Sequence, residues 1–123
     1  MCPTVLIVED DDLLRMLAAE ALSMLPVRVI VCARADDALV LLERAEPLSL
    51  VLTDIRMPGK LDGWDLANVI WSRWPNLPVV LTSGHRILSL EELPPQAAFI
   101  AKPWTLDTLH ETVKERLPRS GSE

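Results

Sequence analysis

The sequence predicts an α/β fold in which a doubly wound, five-stranded parallel sheet carries helices on both faces. Short runs of Val, Leu and Ile alternate with longer segments whose apolar residues recur every three or four positions. The first run, Thr4–Val8, is continuously apolar, which is typical of a strand buried on both faces of a parallel sheet. Five such runs separated by helical segments imply right-handed βαβ units.

Five strands are predicted where aliphatic and β-branched residues cluster between turn residues. Pro26 ends the helical segment before the second strand, and the second helical segment closes before Pro47. The predicted strands cover residues 4–8, 27–32, 48–53, 79–82 and 98–101.

Four helices follow from apolar faces with helical spacing. Asp11 or Asp12 is expected to cap the first helix, and Thr105 the last. Pro118 stops the last helix. The apolar faces place the helices at residues 14–25, 35–45, 64–74 and 106–117.

The remaining segments are predicted as loops. Residues 54–63 contain Pro and Gly breakers, and residues 84–96 carry the weakest pattern, with room for a short fifth helix at 87–93. We expect one domain over residues 1–118 and a frayed tail over 119–123.

Composition excludes several classes of protein. Twelve basic against eighteen acidic side chains give a net charge of −6, which disfavours direct binding to nucleic acid or anionic membranes. The apolar runs are far shorter than the roughly 20 residues of a membrane span, and the first residues lack the basic region of a signal peptide. Cys2 and Cys32 lack metal-ligand spacing and indicate reduced thiols in a cytoplasm.

Chemically active side chains stand where predicted strands end. Glu9 and Asp10 follow the first strand, Asp54 the third and Lys102 the fifth, while Thr82 closes the fourth. Because parallel strands point their carboxyl ends to one edge of the sheet, these side chains are expected to meet in one cleft.

Converging acids must be neutralised. Capping accounts for Asp11 and Asp12, but Glu9 and Asp10 belong to the strand end. Two carboxylates about 4 Å apart repel by roughly 4 kcal/mol at an effective dielectric constant near 20. Either one carboxyl group stays protonated, or a hard cation binds; oxygen ligands at an open edge favour Mg²⁺. With a metal, Asp54 and Lys102 would form a phosphoryl site with a carboxylate nucleophile.

Five segments in this order and spacing resemble the receiver domain of two-component response regulators (CheY-like), over about Thr4 to Leu117. The resemblance implies the flavodoxin-like strand order 2-1-3-4-5. The segments are Val8–Asp11, Thr53–Gly59, Leu61–Gly63, Leu81–Gly84 and Ala101–Trp104.

The resemblance also implies a role for each site residue. Asp54 would accept a phosphoryl group from a histidine kinase or a histidine phosphotransfer protein, and Lys102 would pair with the phosphoryl oxygens. Mg²⁺ would be held by Asp10, Asp54 and the backbone carbonyl of Arg56, with Glu9 acting directly or through water. The bond between Lys102 and Pro103 is expected to be cis.

Signalling would follow from a conformational switch. By the resemblance, Thr82 would move toward the phosphoryl group, and Phe99 would turn inward with it. A downstream protein target would then recognise the changed surface. The chain would catalyse only its own phosphoryl acceptance and slow self-dephosphorylation. The oligomeric state stays open, a phosphorylation-linked dimer included.

Three departures from the pattern qualify the resemblance. The loop Gly59–Gly63 is one residue longer than the commonest form and is similar to that of some receivers attached to hybrid kinases. Phe99 lacks the hydroxyl of the more usual tyrosine. The segment at 87–93 is short for the helix that normally shares the output surface.

Three alternatives remain at this point. The chain could be a receiver module of a hybrid histidine kinase. A small Mg²⁺-dependent phosphatase with an aspartyl nucleophile would need an acid two residues after Asp54, where Arg56 stands. A scaffold that is never phosphorylated is disfavoured by the intact set of acids, Thr82 and Lys102.

Overall fold

A computed structural model of the chain describes residues 3–44, 47–56, 59–84, 93–94 and 97–117. Five strands and four helices alternate along this part of the chain until β5 follows β4. In chain order they are β1 (Thr4–Val8), α1 (Asp12–Leu22), β2 (Arg28–Cys32), α2 (Ala35–Glu43), β3 (Leu50–Asp54), α3 (Gly63–Arg73), β4 (Val79–Ser83), β5 (Ala97–Ala101) and α4 (Leu106–Arg116).

The five strands form one parallel sheet in the order β2-β1-β3-β4-β5, which confirms the predicted fold class. β1 and β3 are neighbours at its centre, so they are buried on both faces.

Two hydrophobic cores cover the two faces of the sheet. In β1, Val5 and Ile7 point into the core shared with α1 and α4, whereas Leu6 and Val8 point into the core shared with α2 and α3. This alternation follows from the two-residue period of a strand. Helices on both faces therefore leave only the sheet's edges and ends open for a site.

The ends of several elements differ from the sequence prediction by one to three residues. α1 ends at Leu22 rather than beside Pro26, because Ser23 continues into a turn. β3 begins at Leu50 rather than at residue 48: the Ser49 amide still donates to the Thr4 carbonyl at 2.7 Å, but its hydroxyl accepts from the Thr4 amide at 3.1 Å.

Some expectations fall outside the described residues. The frayed tail, Pro118 and nearly all of the expected short helix at 87–93 belong to this group, as does Ala45 at the end of the second helix. Within the described ranges, no helix combines the length and apolar character that crossing a membrane requires.

Candidate functional site

The site lies at the carboxyl edge of the sheet, where three strands end close together. Glu9 directly follows β1, Asp54 is the last residue of β3, and Lys102 directly follows β5. Asp54 lies opposite Thr82 of β4 in the strand register, so the side chains of four strands meet at this edge. A cavity of about 390 Å³ lies at this edge, and Ser83 at the end of β4 lines it together with Glu9, Asp54 and Lys102.

Three carboxylates converge as the strand ends predicted. Oxygen atoms of Glu9, Asp10 and Asp54 all lie within 4.8 Å of one another. Glu9 is buried, at 6% exposure, Asp54 is partly buried, and Asp10 is exposed. This set of hard oxygen donors on a partly open edge fits Mg²⁺, which keeps some of its water ligands.

Lys102 lies between two of these acids. Its Nζ donates to Glu9 Oε1 at 2.8 Å and is 3.4 Å from Asp54 Oδ2. The ammonium group therefore neutralises part of the cluster, a contribution that the sequence argument did not weigh. One lysine among three carboxylates leaves an excess of negative charge that suits a divalent cation.

Burial and ion pairing shift the pKa values of the paired groups in opposite directions. Burial raises the pKa of Glu9 and of Asp54, although the hydrogen bond and charge of Lys102 act in the opposite direction. Burial lowers the pKa of Lys102, but its contacts with Glu9 and Asp54 outweigh this and raise the pKa overall. Burial thus disfavours the charged forms of Glu9 and Asp54, and a bound cation could stabilise them.

The backbone around Asp54 is tightly fixed. The Ile55 amide donates to Asp54 Oδ1 at 3.0 Å, which orients the carboxylate. The amides of Gly63 and Trp64 donate to the Ile55 carbonyl at 2.8 and 3.2 Å. A Cβ atom at Gly63 would lie 1.6 Å from the Asp54 carbonyl oxygen, so only glycine permits this approach.

The remaining predicted residues surround this centre. Thr82 is buried beside Asp54, and Arg56 is exposed at the rim of the cavity. Phe99 lies opposite Leu81 and packs, half-buried, against the core of α2 and α3. The peptide bond between Lys102 and Pro103 is cis, as expected. The metal, phosphoryl and switch roles of these residues stay predictions.

Two features of the site were missed in the sequence. Gly63 was quoted only as part of a segment that carries the resemblance. Its position at the start of a helix could be seen in the sequence, but its contact with Asp54 could not. The Asp36 carboxylate accepts hydrogen bonds from the amides of Lys60 and Leu61, and nothing in the spacing of these residues indicated this.

Comparisons with known proteins agree with this geometry. The family model of the response regulator receiver domain matches residues 5–114. The hydrogenase transcriptional regulatory protein HoxA of Cupriavidus necator is 33% identical, over 96% of this chain and 25% of HoxA. The sensor kinase CckA of Brucella abortus is 32% identical, over 94% of this chain and 13% of CckA.

A solved structure shows the same fold. The response regulator receiver protein from Sinorhizobium medicae superposes with a TM-score of 0.86 at 28% identity, over 94% of both chains. This chain spans only a quarter or less of the two curated relatives, so they share one domain with it. The chain belongs to the family of response regulator receiver domains.

Proposed function

We propose that this receiver domain accepts a phosphoryl group on Asp54 from the phosphohistidine of a histidine kinase or a histidine phosphotransfer protein, and then signals by protein contact. One observation carries the proposal: the Asp54 carboxylate lies beside Lys102 and within 4.8 Å of Glu9 and Asp10. A nucleophile, a cation for phosphoryl oxygens and a set of metal ligands therefore share one cavity.

Asp10, Asp54 and the Arg56 carbonyl would hold Mg²⁺ directly. Glu9 would act through water, because Oε1 already accepts from Lys102 and Oε2 from the Asp11 amide at 3.1 Å. When bound, the ion would neutralise charge on the acids and on the incoming phosphoryl group.

The transfer forms one bond and breaks one. An Asp54 carboxylate oxygen bonds to phosphorus while the bond from phosphorus to the donor imidazole nitrogen breaks, and its electron pair stays on that nitrogen. Lys102 would shift from Asp54 Oδ2 to the phosphoryl oxygens, since its ammonium group is already adjacent. Later attack by water on phosphorus would restore the carboxylate, and the chain would turn over no other substrate.

The output would start from the strand next to Asp54. The Thr82 hydroxyl would move toward the phosphoryl group, and Phe99 on the following strand would move further inward. Phe99 is half-buried, so part of its side chain still faces solvent and could be withdrawn from it. A downstream protein would read the altered surface.

An apolar groove supports a protein as the phosphoryl donor. The groove, about 430 Å³, is lined by Leu17, Trp104 and Pro103, and it shares Leu14 and Lys102 with the acidic cavity. A protein donor placed over Asp54 would therefore also cover the groove. The net charge of −6 disfavours nucleic acid as a partner, and we place the protein in the cytoplasm with such kinases.

The test is incubation with a small phosphodonor and Mg²⁺, followed by measurement of the intact mass. We expect the gain of one phosphoryl group, absent in Asp54→Asn and in the presence of a chelator. Asp12→Asn is the matched control, because that acid is exposed and lies outside the cluster.

Two other outcomes would overturn the proposal. Steady turnover of a phosphomonoester would identify a phosphatase. An unchanged mass at every concentration of phosphodonor and Mg²⁺ would identify a scaffold. A receiver of a hybrid kinase would behave as the proposal states, so this experiment addresses the chemistry and leaves the parent protein to a separate search for the donor.

A further inference from the structure

The loop that follows Asp54 is held from outside by helix α2. Oδ2 of Asp36 accepts a hydrogen bond from the Lys60 amide at 3.2 Å, and Oδ1 accepts one from the Leu61 amide at 3.0 Å. Both bonds join residues 24 or 25 positions apart in the chain. One carboxylate thus satisfies two successive backbone donors of the loop.

The backbone of the loop fits closely around this carboxylate. Gly59 has φ of +114°, a conformation that side chains of L-residues rarely adopt. A Cβ atom at Gly59 would lie 2.8 Å from Asp36 Oδ2. Glycine at position 59 therefore leaves space for the Asp36 carboxylate beside the loop.

Arg56 lies between two fixed points of the backbone. On one side, the amides of Gly63 and Trp64 bind the Ile55 carbonyl. On the other side, Asp36 holds the amides of Lys60 and Leu61. The Arg56 carbonyl, the backbone ligand of the proposed metal site, thus belongs to a loop that is held at both ends.

We infer that Asp36 is a positioning residue for the metal site, which it serves by fixing the lengthened loop 59–61 before any ion binds. The inference rests on the proposed function. A ligand on a fixed loop loses less conformational freedom when the ion binds, so loss of the Asp36 contacts should weaken Mg²⁺ binding.

Asp37 provides a matched control. It lies beside Asp36 in the first turn of α2, so both acids interact similarly with the helix dipole. Asp37 is exposed and accepts no hydrogen bond from the described part of the loop. A difference between Asp36→Ala and Asp37→Ala therefore reports the contacts with the loop.

The experiment measures Mg²⁺ binding by calorimetry in the wild-type chain, Asp36→Ala and Asp37→Ala. We expect Asp36→Ala to raise the Mg²⁺ dissociation constant about tenfold, the low end of effects seen for residues that support metal ligands. Asp37→Ala should match the wild type. At saturating Mg²⁺, the rate of phosphorylation of Asp36→Ala should recover to within about twofold, because the reacting groups are unchanged.

A second measurement needs no metal. Amide hydrogen exchange at Lys60 and Leu61 in the metal-free chain should accelerate in Asp36→Ala and stay unchanged in Asp37→Ala. If Asp36→Ala does not fold, Asp36→Asn, which keeps one acceptor oxygen, is compared with Asp37→Asn in the same two measurements.

The outcomes separate this inference from the proposed function. Equal Mg²⁺ affinity in Asp36→Ala and Asp37→Ala, with the wild type binding normally, overturns the inference alone. A wild-type chain that binds no Mg²⁺ overturns the proposed function, and the positioning role ends with it.

Discussion

The acidic side chains at strand ends and those at helix starts have the same chemistry and opposite environments. Glu9, after β1, is 6% exposed and pairs with Lys102, whereas the Asp12 side chain, three residues later in α1, is 91% exposed. The strands that end at this edge bring the first group together although the carboxylates repel one another. Most acids of the second group act on their own helix, and Asp36, which holds the loop after β3, is the exception.

Helix-start acids and strand-end acids have different kinds of partner. Asp11 accepts from the Leu14 amide at 2.9 Å, and Asp62 accepts from the Asp65 amide at 2.9 Å within a reciprocal capping box. Glu9 and Asp54 instead depend on Lys102 and on single backbone amides. The fold, rather than the run of acids in the sequence, thus separates stabilising acids from reactive ones.

The largest effect is expected from a residue that carries no charge. Gly63→Ala would place a Cβ atom 1.6 Å from the Asp54 carbonyl, so the backbone must move, at a cost of about 3 kcal/mol or more in the free energy of unfolding. Denaturant unfolding measures this loss. It would show that the strand-end acids depend on the packing beneath them.

Gly84→Ala is the control for this substitution. Among the described residues its Cβ atom would meet only Lys102 Cβ, at an ordinary 3.6 Å, so a change within about 0.5 kcal/mol is expected. Equal losses in the two variants would show that the close approach of Gly63 to Asp54 is not what matters.

Magnesium should stabilise the folded chain, and it should do so through the acids at the strand ends. At a free concentration 100 times its dissociation constant, binding raises the free energy of unfolding by about 2.7 kcal/mol. We expect this shift in the wild-type chain and in Asp12→Asn, and a much smaller one in Asp54→Asn, which lacks one proposed ligand. Unfolding curves with and without Mg²⁺ provide the measurement. A full shift in Asp54→Asn would contradict the assignment of the ligands.

The contrast explains how far the sequence could predict this molecule. Continuous apolar runs, such as the one that became β1, located the strands, and the parallel sheet then placed Glu9, Asp54 and Lys102 at one edge. The predicted start of β3 was off by two residues, because the apolar Leu48 continues the sequence pattern although regular pairing with β1 begins only at Leu50.

Contacts that depend on side-chain reach or loop path could not be predicted. The sequence showed that Lys102 approaches the acids, but not that its ammonium group would contact Glu9 more closely than Asp54. Asp36 and Asp37 are neighbouring acids in the first turn of α2, and only the folded loop distinguishes them. Such information lies in pairs of residues distant in sequence.

The pH dependence of stability should differ between the wild-type chain and Asp54→Asn without Mg²⁺. Burial raises the pKa of Asp54 in the folded chain, so between its ordinary and raised values the folded state binds more protons than the unfolded state. The contribution of Asp54 to the free energy of unfolding is therefore fully present at acidic pH and falls as pH rises through this window. Asparagine does not titrate.

We accordingly expect Asp54→Asn to gain stability relative to the wild type as pH rises from acidic toward neutral, by less than the magnesium effect. Removal of this charge also relieves Glu9, whose pKa is raised first by burial and further by Asp54, so the sign is reinforced. Thermal unfolding at a series of pH values measures the difference. If the wild type instead gained stability relative to the variant over this range, burial would not outweigh the pairing with Lys102 in setting the pKa of Asp54.

The smallest effects belong to the helix-start acids. Asp62→Ala removes the cap of α3 and should lower the free energy of unfolding by about 1 kcal/mol. Asp12→Ala removes only an exposed ion pair with Arg15, and a change within about 0.5 kcal/mol is expected. Neither variant should alter Mg²⁺ binding by more than about twofold, because neither carboxylate belongs to the cluster or, unlike Asp36, accepts a hydrogen bond from an amide of the loop 59–61. If Asp12→Ala weakened Mg²⁺ binding as strongly as Asp54→Asn, the distinction between helix-start acids and the acids of the cluster would be wrong.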